Sequence, residues 1–394
     1  MDKPIIDSLL DLDYYKLTML RALGEHEDEI ITYSFKNRTP GVRLGNLIDL
    51  GELKENIDNV ISMVFTNGEI DYACVYLHDY QIKDFKANQI TYELEQRGNE
   101  IILNYQGKWK YAIIYETIFL SIINELYNRN VCALLDISKE FLLKKSLYKL
   151  TDKLVKLNDG VPFVEFGTRR RFSKSHQVSI LDVLIHHPEN ACFLGTSNVL
   201  ISKIYNLKPI GTVAHEWFMV HAALDYPYLG DSQNKAIEKW LHYYPETVLL
   251  SDTFGSAGFF NDFKRHANTH IGIRHDSGDP VEFGKKALKF YNDLNIDTTK
   301  IKLVFSDGLN ADKINDLYSR FKTFFDVSFG WGTNLTNDCG IKPLSLVIKA
   351  TAVNGVPTVK LSDNTAKAIG PEYMIKEYKQ TFCHTNDNTE DLIY

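Results

Sequence analysis

The sequence has few cysteines, no long apolar run and no excess of basic residues. Only five of its 394 residues are cysteine, and no two of them form a C-x-x-C pair. That usage is typical of a reduced intracellular protein and argues against a disulfide scaffold or a zinc site. No window approaches the roughly 18 apolar residues of a membrane-spanning helix, and acidic residues interrupt the N-terminal stretch where a signal peptide would be apolar. We therefore expect a cytoplasmic protein with no membrane segment.

The charge balance is mildly acidic. The formal net charge is -7, from 44 lysines and arginines against 51 aspartates and glutamates. A general nucleic-acid-binding protein would present a basic face, so we expect no nucleic-acid partner. The net charge of the chain does not exclude an anionic substrate, because the charges clustered around a site determine whether it binds an anion. The length suffices for two or three globular domains.

The first part of the chain predicts a mixture of helices and antiparallel strands. Asp7 can cap a helix that ends at Gly24, and the stretch EIITYSFKNRT that follows has the composition of a strand. Residues 90–114 alternate apolar and polar side chains between Arg-Gly-Asn and Gln-Gly-Lys turns, which predicts an antiparallel meander. Two helical patterns then run to residue 159, where we place a domain boundary.

After residue 160, short apolar runs alternate with helical patterns. The seven runs are PFVEFGT, ACFLGTS, PIGTVAH, TVLLSDT, HIGIRHDSG, IKLVFSDG and DVSFGWGT. Successive strand-then-helix units predict a parallel sheet, either closed into a barrel or doubly wound. The fold class is therefore α/β, and we expect an irregular parallel β/α barrel.

A last apolar run, PLSLVIKATAVNGVPTVKLSD, contains a hairpin signal at Asn354-Gly355. We predict that it leaves the barrel and packs on the first domain. The expected organisation is a mixed α/β domain of residues 1–159, joined by the C-terminal segment 344–394, and a barrel domain of residues 160–343 that carries the active site.

Glycine-rich loops follow the last two predicted barrel strands. Glycines there let backbone N–H groups approach a phosphate, and helix N-termini add a favourable dipole. One such loop could be only a tight turn, whereas two consecutive loops favour phosphate binding, which barrels often place at this point. The residues are Ser306, Asp307 and Gly308 in one loop, and Gly330, Gly332 and Thr333 in the next.

The densest polar cluster follows the run HIGIR. Arg274 could pair with a carboxylate or a phosphate, and Asp276 could hold a ribose hydroxyl or Mg²⁺. A plain salt bridge between Arg274 and Asp276 is the alternative. Ser277 lies in the same loop and is a candidate for substrate binding, whereas Asp279, just before a proline, has the position of a helix cap.

Three consecutive arginines, Arg169 to Arg171, follow another predicted strand. Successive residues cannot all face one site, so at most two of them contact an anion. Phe166, just before them, could stack on a flat ring, or it could simply pack in the core.

His215 and Glu216 follow the run PIGTVA. The spacing to His221 does not match H-E-x-x-H, so we do not expect a zinc protease site. A histidine at a strand end beside a carboxylate suits a nucleophile or an acid/base group. A purely structural histidine is the commoner case, but the location among anion-binding loops favours a chemical role.

These motifs together resemble the nicotinate phosphoribosyltransferase family. The matching stretches occur in the family's order over most of the chain: LDLDYYKLTM, EFGTRRRFS, LGTSNVL, PIGTVAHEW, SDTFG, IRHDSGDPVE, FSDGLN, FGWGTNLTND and KPLSLVIK. The resemblance implies an irregular barrel and a mixed α/β domain built from both chain ends. It also implies transfer of phosphoribose from phosphoribosyl pyrophosphate to the ring nitrogen of nicotinate, in NAD biosynthesis.

The resemblance further implies roles for single residues. His215 would be phosphorylated by ATP with help from Glu216, and hydrolysis of this phosphohistidine would drive synthesis. The pyridine ring would lie between two aromatic side chains, of which Tyr15 comes either from this chain or from a partner subunit in a homodimer. The other implied contacts are stacking by Phe166, carboxylate or phosphate binding by Arg274 and Arg169, Ser197 near the ring, Asp276 on the ribose, and Gly308, Gly332 and Thr333 on the 5′-phosphate. Loss of pyrophosphate also calls for charge neutralisation by Mg²⁺.

Three alternatives remain open at this point. The acceptor could be nicotinamide or quinolinate instead of nicotinate. A barrel aldolase would need a Schiff-base lysine, for which Lys349 is the candidate with apolar strand neighbours. A regulatory barrel would bind phosphoribosyl pyrophosphate without releasing pyrophosphate.

Overall fold

A computed structural model describes residues 4–77, 81–186 and 192–382, so Cys383 and the first three residues lie outside the described residues. The strands are β1 Ile30–Asn37, β2 Ile90–Arg97, β3 Glu100–Lys108, β4 Phe163–Glu165, β5 Phe193–Thr196, β6 Thr247–Leu250, β7 Ile271–His275, β8 Lys302–Phe305, β9 Asp326–Trp331, β10 Leu346–Val353 and β11 Val356–Pro357. The helices are α1 Tyr15–Ala22, α2 Leu50–Ile61, α3 Asn67–Leu77, α4 Trp109–Ala112, α5 Tyr115–Leu134, α6 Lys139–Lys156, α7 Lys174–His186, α8 Val199–Ile204, α9 His215–Asp225, α10 Ser232–Tyr243, α11 Ser256–Phe263, α12 Pro280–Asp293, α13 Ala311–Phe321, α14 Thr333–Thr336 and α15 Glu372–Phe382.

The strands form one antiparallel and one parallel sheet. The antiparallel sheet has the order β11-β10-β1-β3-β2, so a strand from late in the chain pairs with the first strand. The predicted hairpin is confirmed: Asn354 and Gly355 both have positive φ, which a tight two-residue turn requires. The α/β fold class is confirmed as well, while the domain boundaries at residues 159 and 343 stay a prediction.

The parallel sheet has the order β5-β4-β9-β8-β7-β6. Six of the seven predicted runs are strands, but PIGTVAH is not. Pro209 has no amide to donate to a ladder, and the segment instead bridges two strands, because the Ile210 amide donates to Thr196 O at 3.0 Å and Arg274 donates to Val213 O at 3.1 Å. Among the described strands β5 and β6 remain the sheet edges, so closure into a barrel stays a prediction.

Two further expectations about the first part of the chain are wrong. The first helix begins at Tyr15, not after Asp7, because Asp11 and Asp13 turn inward and are held by polar partners on other elements. The predicted turn at Gly107 lies within β3, where a Cβ would stand 2.8 Å from Gln89 O. Glycine here lets the neighbouring strand approach closely, and the chain after it forms α4.

One buried helix, α5, lies in the middle of the molecule and packs against α2 and β10. All four tryptophans, Trp109, Trp217, Trp240 and Trp331, are fully buried in the core. The residues that follow β6 and β7 contact the start of α9, which the segment after β11 also contacts. No helix in the three described ranges is long and apolar enough to cross a membrane.

Candidate active site

His215 is the first residue of α9 and lies at the centre of a buried polar cluster. Its Nδ1 is 3.0 Å from Thr253 Oγ1, its Nε2 is 2.8 Å from Lys360 Nζ, and Nε2 is also 3.2 Å from Asp276 Oδ2. Thr253 follows β6 and Asp276 follows β7, so both come from carboxyl ends of parallel strands. Lys360 comes from the segment after β11. The cluster therefore joins the two sheets.

The protonation of the His215 ring follows from its neighbours. The ring is 5% exposed, and burial together with the charge of Lys360 lowers the pKa of His215 to about 4. Burial also lowers the pKa of Lys360, to about 8, so this lysine still carries a proton at neutral pH. An ammonium group can only donate, which makes Nε2 the acceptor and Nδ1 the donor to Thr253. The contact to Asp276 would need a proton on Nε2, and the lowered pKa argues against that form.

Two aspartates flank the histidine. Asp276 Oδ1 accepts from Ser306 Oγ at 2.9 Å. Burial raises the pKa of Asp276, but the nearby charges of Arg274 and Lys360 outweigh it and hold the pKa well below its usual range. Asp252 is buried and accepts from Ser277 Oγ at 2.5 Å. The site thus keeps two negative charges beside one neutral imidazole.

Ser277 does not face the site as the sequence suggested. It is 1% exposed, and its hydroxyl also lies 2.9 Å from Ser362 Oγ. Its visible role is to hold Asp252. Arg274 is half-buried, makes no ion pair with Asp276, and leaves its Nε without a hydrogen-bond partner among the described residues. The alternative of a plain salt bridge is therefore wrong.

The two glycine-rich loops lie at the same edge of the sheet. Asp307 and Gly308 are exposed, Gly308 has a φ of +58°, and Asp307 pairs with Lys367 at 3.0 Å. In the second loop a Cβ at Gly332 would stand 2.9 Å from Phe166 O. Thr333 begins the short helix α14. Close packing thus explains Gly332, and an unusual backbone angle explains Gly308, while both loops stay open to a ligand.

A second group of predicted residues gathers around Tyr15. Arg169 Nη1 donates to Tyr15 Oη at 3.1 Å, and both residues belong to this chain. Ser197 Oγ donates to Asp13 Oδ1 at 2.6 Å, and the Tyr14 amide donates to Ser197 O at 2.7 Å. The structure thus brings Tyr15, Arg169 and Ser197 together through the segment that precedes α1.

The three arginines have different surroundings. Arg171 is fully buried and forms a two-pronged contact with Asp11, at 2.6 and 2.8 Å. Arg169 points to Tyr15. Arg170 makes no ion pair within the described ranges, and burial with the nearby charge of Arg169 lowers its pKa to about 10. Within the described residues, Arg171 thus has an anionic partner, whereas Arg169 and Arg170 form no ion pair.

Glu216 points away from His215. Its Oε1 accepts from Tyr33 Oη at 2.5 Å and from Trp109 Nε1 at 2.8 Å, and its Oε2 is bound by Lys16. The expectation that Glu216 assists the histidine directly is wrong. Successive helical residues point about 100° apart, so the neighbour in sequence faces the interior.

Sequence reasoning missed Asp252, Thr253 and Lys360. The first two follow the strand β6, and the rule that selected the other strand-end loops could have selected them. Lys360 has no such signal, because it follows a hairpin and reaches His215 from 145 positions away. Lys349, the candidate for an aldolase lysine, forms an ion pair with Glu116, with its Nζ 3.4 Å from Glu116 Oε1.

Substitution of Gly330 by alanine tests the position of Phe166. A Cβ at residue 330 would stand 2.3 Å from Phe166 Cδ2, and overpacking of this kind costs about 1–3 kcal/mol. We expect the ring to shift and the KM for the pyridine acceptor that the resemblance implies to rise roughly tenfold. Gly230 is the matched control, since a Cβ there meets nothing within 4 Å. Equal KM values for the two variants would contradict a role of Phe166 in ring binding.

Comparison with known proteins gives a consistent result along the whole chain. Residues 161–386 match the model of the nicotinate phosphoribosyltransferase (NAPRTase) family, and residues 10–124 match the model of its N-terminal domain. A curated relative from Xanthomonas axonopodis, named nicotinate phosphoribosyltransferase, is 37% identical over 93% of this chain and 94% of its own length. One of the same name from Acinetobacter baylyi is 38% identical over 93% of both chains. The crystal structure of nicotinate phosphoribosyltransferase from Vibrio cholerae superposes with a TM-score of 0.87 at 32% identity, over 97% of this chain and 95% of that one.

Proposed function

The chain belongs to the nicotinate phosphoribosyltransferase family, and from this premise we propose that it forms nicotinate mononucleotide and pyrophosphate from nicotinate and phosphoribosyl pyrophosphate. The observation that carries the proposal is that polar candidates from β4, β7 and β8 follow the carboxyl ends of strands in the same parallel sheet, which we assign to a ring subsite and a phosphate-binding edge. Tyr15 and Arg169 form the first, and Asp276 with the loop at Gly308 forms the second.

Nicotinate binding is assigned to the group around Tyr15. The aromatic faces of Tyr15 and Phe166 offer stacking for a pyridine ring. Among the described residues, the Tyr15 hydroxyl is the hydrogen-bonding side-chain partner of Arg169, so the other donors of this guanidinium would take a carboxylate in a charge-assisted pair. A cation at this point favours nicotinate over the uncharged nicotinamide. Ser197 is held by Asp13 beside the same group.

Phosphoribosyl pyrophosphate binding is assigned to the strand ends. The backbone amides at Gly308, Gly332 and Thr333 would bind the 5′-phosphate. Gly330, predicted in the same loop, lies instead within the strand β9 and packs against Phe166. Asp276 would accept from a ribose hydroxyl. Arg274 and Arg170 have guanidinium nitrogens without protein partners among the described residues, and they are available for the pyrophosphate.

Mg²⁺ is the cation expected with these phosphates. Asp252 Oδ1 is buried and has no hydrogen-bond partner within the described part of the chain, and Asp252, Asp276 and His215 offer ligand atoms within 4.8 Å of one another. Carboxylate oxygens suit this hard ion, so Asp252 and Asp276 would hold it. When bound, it neutralises charge on the departing pyrophosphate.

The transfer step needs no protein base. The lone pair of the pyridine nitrogen forms the bond to C1 of the ribose while the bond from C1 to the pyrophosphate oxygen breaks, and the electron pair leaves with pyrophosphate. Catalysis then rests on alignment and on stabilisation of the separating charges. Arg274 and Arg170 would stabilise the leaving group, and Asp276 would orient the sugar.

ATP is proposed to phosphorylate His215. The unprotonated Nε2 would attack the γ-phosphorus, and the bond to ADP would break with the electron pair leaving on ADP. Lys360, 2.8 Å from that nitrogen, would then pair with the phosphoryl oxygens. Hydrolysis to phosphate would return the imidazole and favour synthesis.

An assay of mononucleotide formation tests this function. We expect the wild-type protein to convert nicotinate at least tenfold more efficiently than nicotinamide, which lacks the carboxylate, since one charged contact contributes roughly 1.5–3 kcal/mol, and to form more product when ATP is present. Quinolinate keeps the same carboxylate, and we expect it to react more slowly than nicotinate because no partner is assigned to its second carboxylate and an unpaired buried charge is unfavourable. Release of ADP and pyrophosphate is measured in the same reactions. Equal rates with all three pyridines would favour the alternative acceptors, and no pyrophosphate release would favour a regulatory barrel. Sedimentation of the same sample tests the proposed homodimer.

A further inference from the structure

Lys16 is a fully buried lysine held between two glutamates. Its Nζ lies 2.6 Å from Glu116 Oε2 and also binds Glu216 Oε2. Burial alone would lower the pKa of Lys16, but the two carboxylates raise it above its ordinary value, and they hold the ammonium form. The pKa of Glu116 is lowered to about 2, because the charges of Lys16 and Lys349 outweigh burial. Lys16 and Glu116 are therefore both charged at neutral pH.

The group connects the two halves of the proposed site. On one side, Tyr15 Oη lies 3.5 Å from Glu116 Oε2 and accepts from Arg169. On the other side, Glu216 is bonded in sequence to His215 at the start of α9. A continuous path of contacts thus runs from Arg169 through Tyr15, Glu116 and Lys16 to Glu216.

Glu216 fixes the orientation of the first turn of α9. Three donors reach its carboxylate, namely Lys16, the Tyr33 hydroxyl and the Trp109 indole. A rotation of this turn that moved His215 Nε2 away from Lys360 would have to break these buried contacts. General stability is a weak explanation for such a group, because buried ion pairs often contribute little net free energy compared with apolar replacements.

We infer that Lys16 and Glu216 are positioning residues. They fix the position of the nicotinate subsite relative to His215, the phosphoryl acceptor. Lys16 follows Tyr15 in α1, and Glu216 follows His215 in α9, so one buried ion pair sets both side chains. The inference rests on the proposed function. It adds that ring binding and phosphoryl transfer depend on the same contact.

The test is Glu216→Gln, which keeps the shape and removes one charge. Loosening both subsites should raise the KM for nicotinate and raise the ATP consumed per nucleotide formed, each by about fivefold, the lower end of the coupling between sites. A merely structural role would lower the active fraction, and hence kcat. It would leave the KM for nicotinate and the ATP consumed per nucleotide unchanged. Tyr33→Phe removes one donor to the same carboxylate and should shift both quantities in the same direction by less.

Glu125→Gln is the matched control, because Glu125 is a buried glutamate of α5 whose partners, Arg129 and the Lys174 amide, lie outside this path. We expect both quantities within twofold of wild type there, since the change leaves the path intact. A folded Glu216→Gln protein with wild-type KM and ATP ratio would overturn the inference, and so would an equal change in the control. If Glu216→Gln does not fold, unchanged values for Tyr33→Phe overturn it. A wild-type protein that forms no nucleotide refutes the proposed function instead, so the two failures are distinct.

Discussion

Replacement of His215 by asparagine is expected to abolish the ATP-dependent phosphorylation of the protein and the stimulation of synthesis by ATP. Asparagine keeps a polar group of similar size but has no nitrogen lone pair that can attack phosphorus. Nε2 of His215 is the buried nitrogen that the lowered pKa leaves unprotonated. The ammonium group of Lys360 contacts this nitrogen. Loss of a nucleophile of this kind lowers the rate of the step that it performs by at least roughly 100-fold.

The labelling experiment uses ATP carrying a radioactive γ-phosphate. We expect the wild-type protein to take up a phosphate that is labile in acid and stable in base. His270→Asn is the control, since the side chain of His270 is 67% exposed and lies outside the cluster. Residual synthesis without ATP should persist in His215→Asn, because the transfer step does not use the imidazole. Labelling that survives the substitution would assign the phosphate to another residue.

The site residues that the sequence predicted best are those at the ends of parallel strands. Asp276 and the loop at Gly308 needed only the order of apolar runs and the rule that parallel strands end at the same edge, whereas His215 was selected although the run before it, PIGTVA, forms no strand. The structure brings His215 and Asp276 within 3.2 Å. The same rule would have selected Asp252 if the run TVLLSDT had been treated like its neighbours.

The errors arose where local pattern and tertiary contacts differ. Glu216 is adjacent to His215 in sequence, but helix geometry points the two side chains in different directions. The run PIGTVAH has the composition of a strand, yet it spans the gap between β5 and β7 through single contacts. Lys360 could not be predicted, because it reaches the site only after β10 and β11 have paired with the first domain.

The run of three arginines illustrates the same limit, because sequence alone could not say which of them meets an anion. Arg171 is 0% exposed, and its guanidinium binds Asp11, which also accepts from Asn198 at 2.8 Å. Arg171→Met should therefore leave a buried carboxylate without its cation. Breaking a buried pair in this way costs about 3–5 kcal/mol. We expect urea unfolding to show a loss of stability in that range.

Arg170→Met is the matched comparison, with the same change one residue earlier. Arg170 forms no ion pair with any described residue, so its removal leaves no carboxylate without a cationic partner. Burial of an unpaired guanidinium is itself unfavourable. We expect stability within about 1 kcal/mol of wild type and a KM for phosphoribosyl pyrophosphate raised at least tenfold, since a charge-assisted contact to phosphate contributes roughly 1.5–3 kcal/mol. The two substitutions should thus separate folding from binding at adjacent positions. A large loss of stability in Arg170→Met with an unchanged KM would reverse the assignment and make Arg170 a structural residue.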